Sequence, residues 1–304
     1  MKGRKALFLV FGLFIAVSSL ISPVRAAALP PQPDGKYDYS AALFNGGLEE
    51  ISSDWPRVFA SGTPYLNKKD SEEKTLLAEV NQHGRAIIIP PYVLTLHHII
   101  NVNEFEDFMM TPYGPRTIRL PANGLLNESY WLQTSRTGPK INLEKIAFLP
   151  EYDLALFKME QSLTIPFKPM KLGRSSDLKL GNLIFVLGSP RSIGLYIRSG
   201  IISALEYHFD QEVMKDIPGS NLIPRGSIGI SIPVVGGDSG SPVVALRDGE
   251  LELVGIAQAG IFGILGIMTP IDTALEKIKE ATDIDIREQN ETNLKRLKNN
   301  GGPK

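Results

Sequence analysis

The chain has 304 residues, of which 43% are hydrophobic and 21% charged, and its formal net charge is -1. This is the composition of an ordinary globular protein, long enough for one large domain or two modest ones, and its balanced charge leaves no nucleic-acid footprint. Cysteine is absent, which excludes disulfides, thiolate metal sites and a cysteine nucleophile.

The amino terminus opens with Lys2, Arg4 and Lys5, continues in an apolar run from Ala6 to about Ile21, and then offers Val24 and Ala26 at the spacing of a cleavage site. That is the pattern of a secretory signal peptide over residues 1–26. The run is short for a membrane span, which needs about 20 residues. A cleaved signal is therefore expected, with an amino-terminal membrane anchor as the alternative, and membrane association is expected only through this run. The mature protein is expected to be periplasmic or secreted. Residues 27–55, rich in Pro, Gly and Asp, read as a lead-in.

From residue 56 onward, short runs rich in Val, Ile, Leu and Phe alternate with turn residues. Strands are expected over 86–90, 92–96, 145–150, 154–159, 182–187, 196–205, 227–233, 252–259 and 263–269. Many short strands at this spacing predict an all-β barrel or sandwich. One helix is expected to start at Pro270, capped by Asp272 or Thr273, with Ala274, Ile278 and Ala281 on one face. The polar segment beyond it, REQNETNLKRLKNNGGPK, reads as a frayed tail.

The stretch VVGGDSGSPVV at 234–244 holds Ser239 between glycines, with apolar pairs on both sides. A serine hydroxyl needs a base before it can attack a carbonyl, and the base needs a carboxylate to orient it. The chain has four histidines, His83, His97, His98 and His208. Of these, His97 and His98 end the strand-like run YVLTLHHII, at the rim of whatever sheet that strand joins. Asp153 stands at the start of another strand, in PEYDLALFKM. The order histidine, aspartate, serine excludes the α/β-hydrolase order, because no histidine follows Ser239. It also disfavours the subtilisin-like order, since Asp54 and Asp70 have no strand signature. As a metal pair, His97 and His98 would be poorly matched, because adjacent strand residues face opposite sides.

On these motifs the chain resembles the trypsin-like (chymotrypsin-fold) serine proteases, and most of all their bacterial HtrA-type branch. YVLTLHHII, DLALFKM, VLGSPRSIGLYIRSGIISAL, GGDSGSP, LVGIAQAG and GIMTPID carry the likeness, over about residues 85 to 275. The resemblance implies an all-β fold of two antiparallel β-barrels with a C-terminal helix. It implies a first barrel over 56–165, a second over 166–275, and the helix end and polar tail over 276–304. It makes His98 rather than His97 the base, Asp153 its orienting partner and Ser239 the nucleophile. The backbone N–H groups of Gly237 and Ser239 would form the oxyanion hole. Gly255, Ala257, Gln258 and Ala259 would line the substrate pocket.

The activity so implied is that of a serine endopeptidase acting on polypeptides outside the cytoplasm, with no cofactor, metal or nucleic-acid partner. A catalytically silent binding protein of the same fold, or an esterase using the same three residues, is the alternative. Too few residues follow Pro270 for the peptide-binding PDZ domain many HtrA-type proteases carry. The Ile-Val-Gly-Gly start of activated digestive proteases is missing, which leaves Asp238 without the partner it has in those enzymes. Pro233 stands six residues before Ser239, where enzymes that cut after Lys or Arg carry an acid. A preference for small or medium apolar residues before the cut is expected.

Overall fold

In the computed structural model, the described residues are 57–67, 74–76, 80–101, 104–111, 114–121, 124–134, 138–162, 169–192, 194–206, 224, 226–261 and 263–299. The amino-terminal run and lead-in expected over 1–55 lie outside them. No helix among the described residues is long and apolar enough to cross a membrane.

The first sheet is built from β1 (Arg57–Asn67), β2 (Lys74–Leu76), β3 (Val80–Arg85), β4 (Ile87–Ile89), β5 (Tyr92–Thr95), β8 (Gly124–Gln133), β9 (Ile141–Leu149) and β10 (Leu154–Met159). Between β5 and β8 stand α1 (His97–Ile100) and a separate hairpin of β6 (Glu104–Thr111) and β7 (Gly114–Pro121). The strand order is β2-β1-β8-β9-β10-β5-β4, all antiparallel, with β3 also on β1. Only Ala86 separates β3 from β4, so one continuous piece of chain pairs with β1 near one end of the path and forms the β4 edge at the other.

The second sheet holds β11 (Lys171–Leu172), β12 (Leu183–Gly188), β13 (Tyr196–Ala204), β14 (Ile228–Ile230), β15 (Pro242–Arg247), β16 (Glu250–Ile261) and β17 (Leu265–Pro270). Its path β16-β15-β12-β13-β14-β17 returns to β16, closing a six-stranded antiparallel barrel. The fold is thus all-β, with two antiparallel barrel-type sheets and helices at the C-terminal end.

The continuous apolar runs have a reason in this packing. Every residue of β12 is buried. Successive side chains on a strand face opposite ways. Ile184 and Val186 accordingly point into the closed barrel, with Val243, Ala245 and Val254. Leu183, Phe185 and Leu187 join the other core, where Leu156, Phe157, Ile271, Ala274 and Ile278 also lie. A strand buried on both faces carries no polar alternation.

Two features differ from expectation. The helix after Pro270, α2 (Ile271–Thr282), is capped by neither Asp272 nor Thr273; its N-cap is Pro270, and the distant Ser175 Oγ accepts from Asp272 N at 3.1 Å. Asp272 instead accepts from Ser175 Oγ and Ser176 N and pairs with Arg287 at 2.7 Å. The polar segment read as frayed forms a second helix, α3 (Ile286–Asn299). That helix docks by hydrogen bonds to turn carbonyls. Asn290 reaches Met170 O, Asn293 reaches Pro90 O, and Arg287 reaches the carbonyls of Leu172 and Gly173. Its anchoring groups are polar, so hydrophobic periodicity gave no sign of it.

Candidate active site

Two turns bring His98 and Asp153 together. β5 runs directly into α1, which starts at His97, so the imidazoles leave the sheet at its rim. Asp153 follows a short 3-10 turn over Pro150–Tyr152 and takes a left-handed conformation with φ 53°. Aspartate is among the few residues that tolerate this region. The turn aims its carboxylate back at α1. Asp153 Oδ1 accepts from the backbone N–H of His98 at 2.8 Å, and Oδ2 lies 2.7 Å from His98 Nδ1. The backbone adds a further tie, with His97 N donating to Asp153 O at 3.1 Å.

The His98 side chain is 25% exposed, whereas that of Asp153 is 2% exposed. A buried carboxylate requires compensating donors. A third is supplied by Gln258 Nε2, at 3.0 Å from Oδ2. With the Asp153 carboxylate on Nδ1, the proton of a neutral imidazole belongs on Nδ1, leaving Nε2 as the basic nitrogen. His97 faces elsewhere. Its ring packs edge-on to Phe148, with centroids 5.6 Å apart, and burial holds its pKa below the ordinary histidine value.

Ser239 comes from the second sheet, in the loop before β15. Its Oγ donates to Gln258 O at 3.3 Å. Gln258 therefore bridges the parts, its backbone carbonyl on Ser239 and its side chain on Asp153. The loop is held against the first sheet by Arg85 N, which donates to Ser239 O at 2.9 Å. Gly240 makes this approach feasible. It has φ 81°, and a Cβ there would lie 2.0 Å from Arg85 O.

Around Ser239 the backbone N–H groups divide into two sets. Those of Asp238, Gly240 and Ser241 donate to the carbonyls of Val235, Ala257 and Asp238. Those of Gly237 and Ser239 have no acceptor among the described residues. The direction of the Gly237 N–H is set by its own peptide plane. Arg191 N donates to Gly236 O at 2.6 Å, and in a planar trans peptide the N–H points opposite to the C=O. Gly237 has φ 92°, a conformation that suits glycine.

The remaining predicted residues all lie on β16, the strand bonded to the Ser239 loop. Gly255 and Ala257 are in β16, bonded to β17 and, at Gly255, to β15. Ala257 is buried and exchanges hydrogen bonds with the Ser239 loop, receiving from Gly240 N and donating to Ser241 O. Ala259 is half-buried and pairs with Ile267. Gln258 is buried, and its side chain meets Asp153, so this amide is directed at the carboxylate beneath His98. Two contacts of the serine loop escaped sequence reading, the backbone N–H of Arg191 on Gly236 O and the ion pair of Arg198 with Asp238, because each joins segments far apart in the sequence.

A two-barrel fold with an aspartate-bound histidine on one sheet and a glycine-flanked serine on the other is the architecture of the chymotrypsin-like peptidases. A family model for the trypsin-like peptidase domain matches residues 80–256, more than half of the sequence, and the chain belongs to that family. Among curated relatives, a probable periplasmic serine endoprotease, DegP-like, from Pseudomonas fluorescens is 31% identical over 132 residues, 42% of this chain and 24% of that protein. Human serine protease HTRA4 is 29% identical over 145 residues, 48% of this chain and 28% of that protein. The chain thus spans about a quarter of the length of the curated relatives it matches. A solved structure of a variant of the HtrA-type protease AlgW with a decapeptide superposes with a TM-score of 0.50 at 18% identity, covering 79% of this chain and 68% of that one. That likeness is one of fold.

Proposed function

We propose that this protein is a serine endopeptidase that hydrolyses polypeptides outside the cytoplasm, with Ser239 as nucleophile, His98 as general base and acid, and Asp153 as the orienting carboxylate. The observation that carries the reading is the chelation of His98 by Asp153 through backbone and ring nitrogens, with Gln258 linking that carboxylate to Ser239. In the working enzyme the Ser239 hydroxyl turns from Gln258 O to His98 Nε2. His98 takes the proton as Oγ attacks the carbonyl carbon, and the C=O electron pair moves onto oxygen. The developing oxyanion is met by the N–H groups of Gly237 and Ser239. His98 then passes its proton to the leaving amine; water next attacks the acyl carbon as His98 takes its proton, and His98 returns that proton to Ser239 Oγ as the carboxylic acid departs.

The catalytic parts sit on two units, a first barrel over 56–165 that carries His98 and Asp153 and a second over 166–275 that carries Ser239. Residues 1–26 act as a secretory signal and 27–55 as a lead-in. Export to the periplasm or beyond is supported by the basic-apolar-small order of residues 1–26 and by the DegP-like relatives, named as periplasmic. The wall at Gly255, Ala257, Gln258 and Ala259 is small and mostly apolar, and Pro233 replaces an acid. Cleavage after small or medium apolar residues follows from this.

A peptide-library digest with the mature chain tests the proposal. Cleavage after apolar residues that disappears in Ser239→Ala supports it. Ester turnover without peptide cleavage would redirect it to the esterase reading, and a dominant Arg, Lys or Glu preference would overturn the pocket assignment. A folded chain with neither activity would make it a binding protein of this fold.

A further inference from the structure

Asp238 lies between the two proposed oxyanion donors, and its carboxylate is fully buried. An ion buried in this way requires a partner and hydrogen bonds. Val235 N donates to Oδ2 at 3.0 Å, and Arg198 Nη2 forms an ion pair with Oδ1 at 2.8 Å. The same guanidinium donates through Nη1 to Pro233 O at 2.6 Å. One side chain thus grips both ends of the hexapeptide Pro233–Asp238, the segment that contains Gly237 and leads directly into Ser239.

Arg198 itself is rigidly mounted. It stands on β13, opposite Val186 of β12, in a strand bonded on both sides within the closed barrel. Room for the pair is made by Gly188, where a Cβ would come within 2.3 Å of Asp238 Oδ1 and 2.8 Å of Arg198 Nη2. A second cation, the buried Arg85, senses the same carboxylate. Burial and Arg57 lower its guanidinium to about 10, against the opposing pull of Asp238.

We propose that Arg198 is a positioning residue for the oxyanion loop, an internal cation that takes the place of a freed amino terminus and holds Asp238 so that the Gly237 and Ser239 N–H groups face the reacting carbonyl. This rests on the peptidase reading above. The fork geometry matters as much as the charge. A guanidinium can bring its charge to Oδ1 through one arm while it donates to Pro233 O through the other, whereas a lysine ammonium is a compact point charge that cannot span both. Its effect falls on the transition state rather than on substrate binding, because the N–H groups it aligns matter most once the oxygen carries charge.

The test uses the mature chain with Arg198→Met, Arg198→Lys, Asp238→Asn and the Arg198→Met/Asp238→Asn double variant. Amide hydrogen exchange is followed in the peptide covering 233–241, and kcat and KM are measured per titrated active site. In Arg198→Met, exchange at 233–241 should quicken while β12, β15 and β16 keep their protection. In the same variant kcat should fall by about 10- to 1000-fold, the upper end being the loss of one oxyanion donor outright, with KM little changed. Arg198→Lys should fall between wild type and Arg198→Met. The double variant should be no worse than the poorer single, as coupled residues require. Unchanged exchange at 233–241 in Arg198→Met, or single-variant losses that multiply, would overturn the proposal. If wild type neither cleaves nor labels, the peptidase reading fails, and the exchange comparison alone still decides whether Arg198 holds the loop.

Discussion

Asp153 makes three contacts through one carboxylate, to His98 N, His98 Nδ1 and Gln258 Nε2, and their unequal importance can be read in kinetics. Asp153→Asn would turn an acceptor toward Nδ1 into a mixed group and favour the wrong imidazole tautomer, for which a loss of about 10,000-fold in kcat is expected. Gln258→Ala leaves both His98 contacts in place and should cost far less, mainly in kcat, because its side chain meets Asp153. Steady-state kinetics of the two variants orders them. His97 bears on stability rather than on the proposed chemistry. Its folded-state pKa lies below the ordinary value of 6.5 because burial disfavours the cation. The unfolded chain therefore binds its proton first as pH falls, and this contribution to stability is present above about pH 6.5 and lost below it. The drop in melting temperature from about pH 7.5 to about pH 5 should be smaller in His97→Gln than in wild type. In the sequence, only the likeness of YVLTLHHII to its family counterpart favours His98 over His97. α1 turns one ring toward Asp153 and the other toward Phe148. Arg198 was not legible, since nothing in YIRSG says that its side chain passes under a loop some 35 residues later.

At the scale of elements, the serine loop and the last helix are the informative cases. The loop crosses close to its neighbours. A Cβ at Gly240 would meet Arg85 O at 2.0 Å, and one at Gly260 would meet Val234 O at 1.7 Å. Gly240→Ala therefore has to move backbone against backbone from a left-handed φ. It should break the Arg85–Ser239 hydrogen bond, cost on the order of 2 kcal/mol or more, and abolish turnover, as thermal melting and peptide assays will show. The glycines and most strands with unbroken Val, Ile and Leu runs were readable because local chemistry sets them, though β15, just after the serine loop, was not among the expected strands. β1, β8 and the β6–β7 hairpin were missed, since residues such as EFEDFMMT and GPRTIRLP mix charge, proline and apolar groups without clean alternation. α3 was missed for a different reason. Gln289, Asn290 and Asn293 reach the carbonyls of Pro90 and Met170, so its anchoring is polar. Asn290→Ala should lower stability by about 1 kcal/mol, because it removes the hydrogen bond to the half-buried Met170 carbonyl, and should leave kcat per active site unchanged.

For the whole molecule, the expected two-barrel organisation is observed, with the second barrel closed by the β16–β17 pairing. That level was the most legible, because turn spacing and strand composition repeat many times along the chain. The proposed chemistry instead depends on a seam of a few contacts between distant segments: Arg85 to Ser239, Gln258 to Asp153, and Arg198 to Asp238. A fluorophosphonate probe reads that seam directly, because it reacts only with a serine whose hydroxyl is activated. Mass spectrometry of the labelled protein should place the adduct on Ser239 in wild type, with labelling lost in Ser239→Ala and slowed by several orders of magnitude in His98→Ala. An adduct on another residue, or labelling of Ser239 at the same rate without His98, would contradict the account.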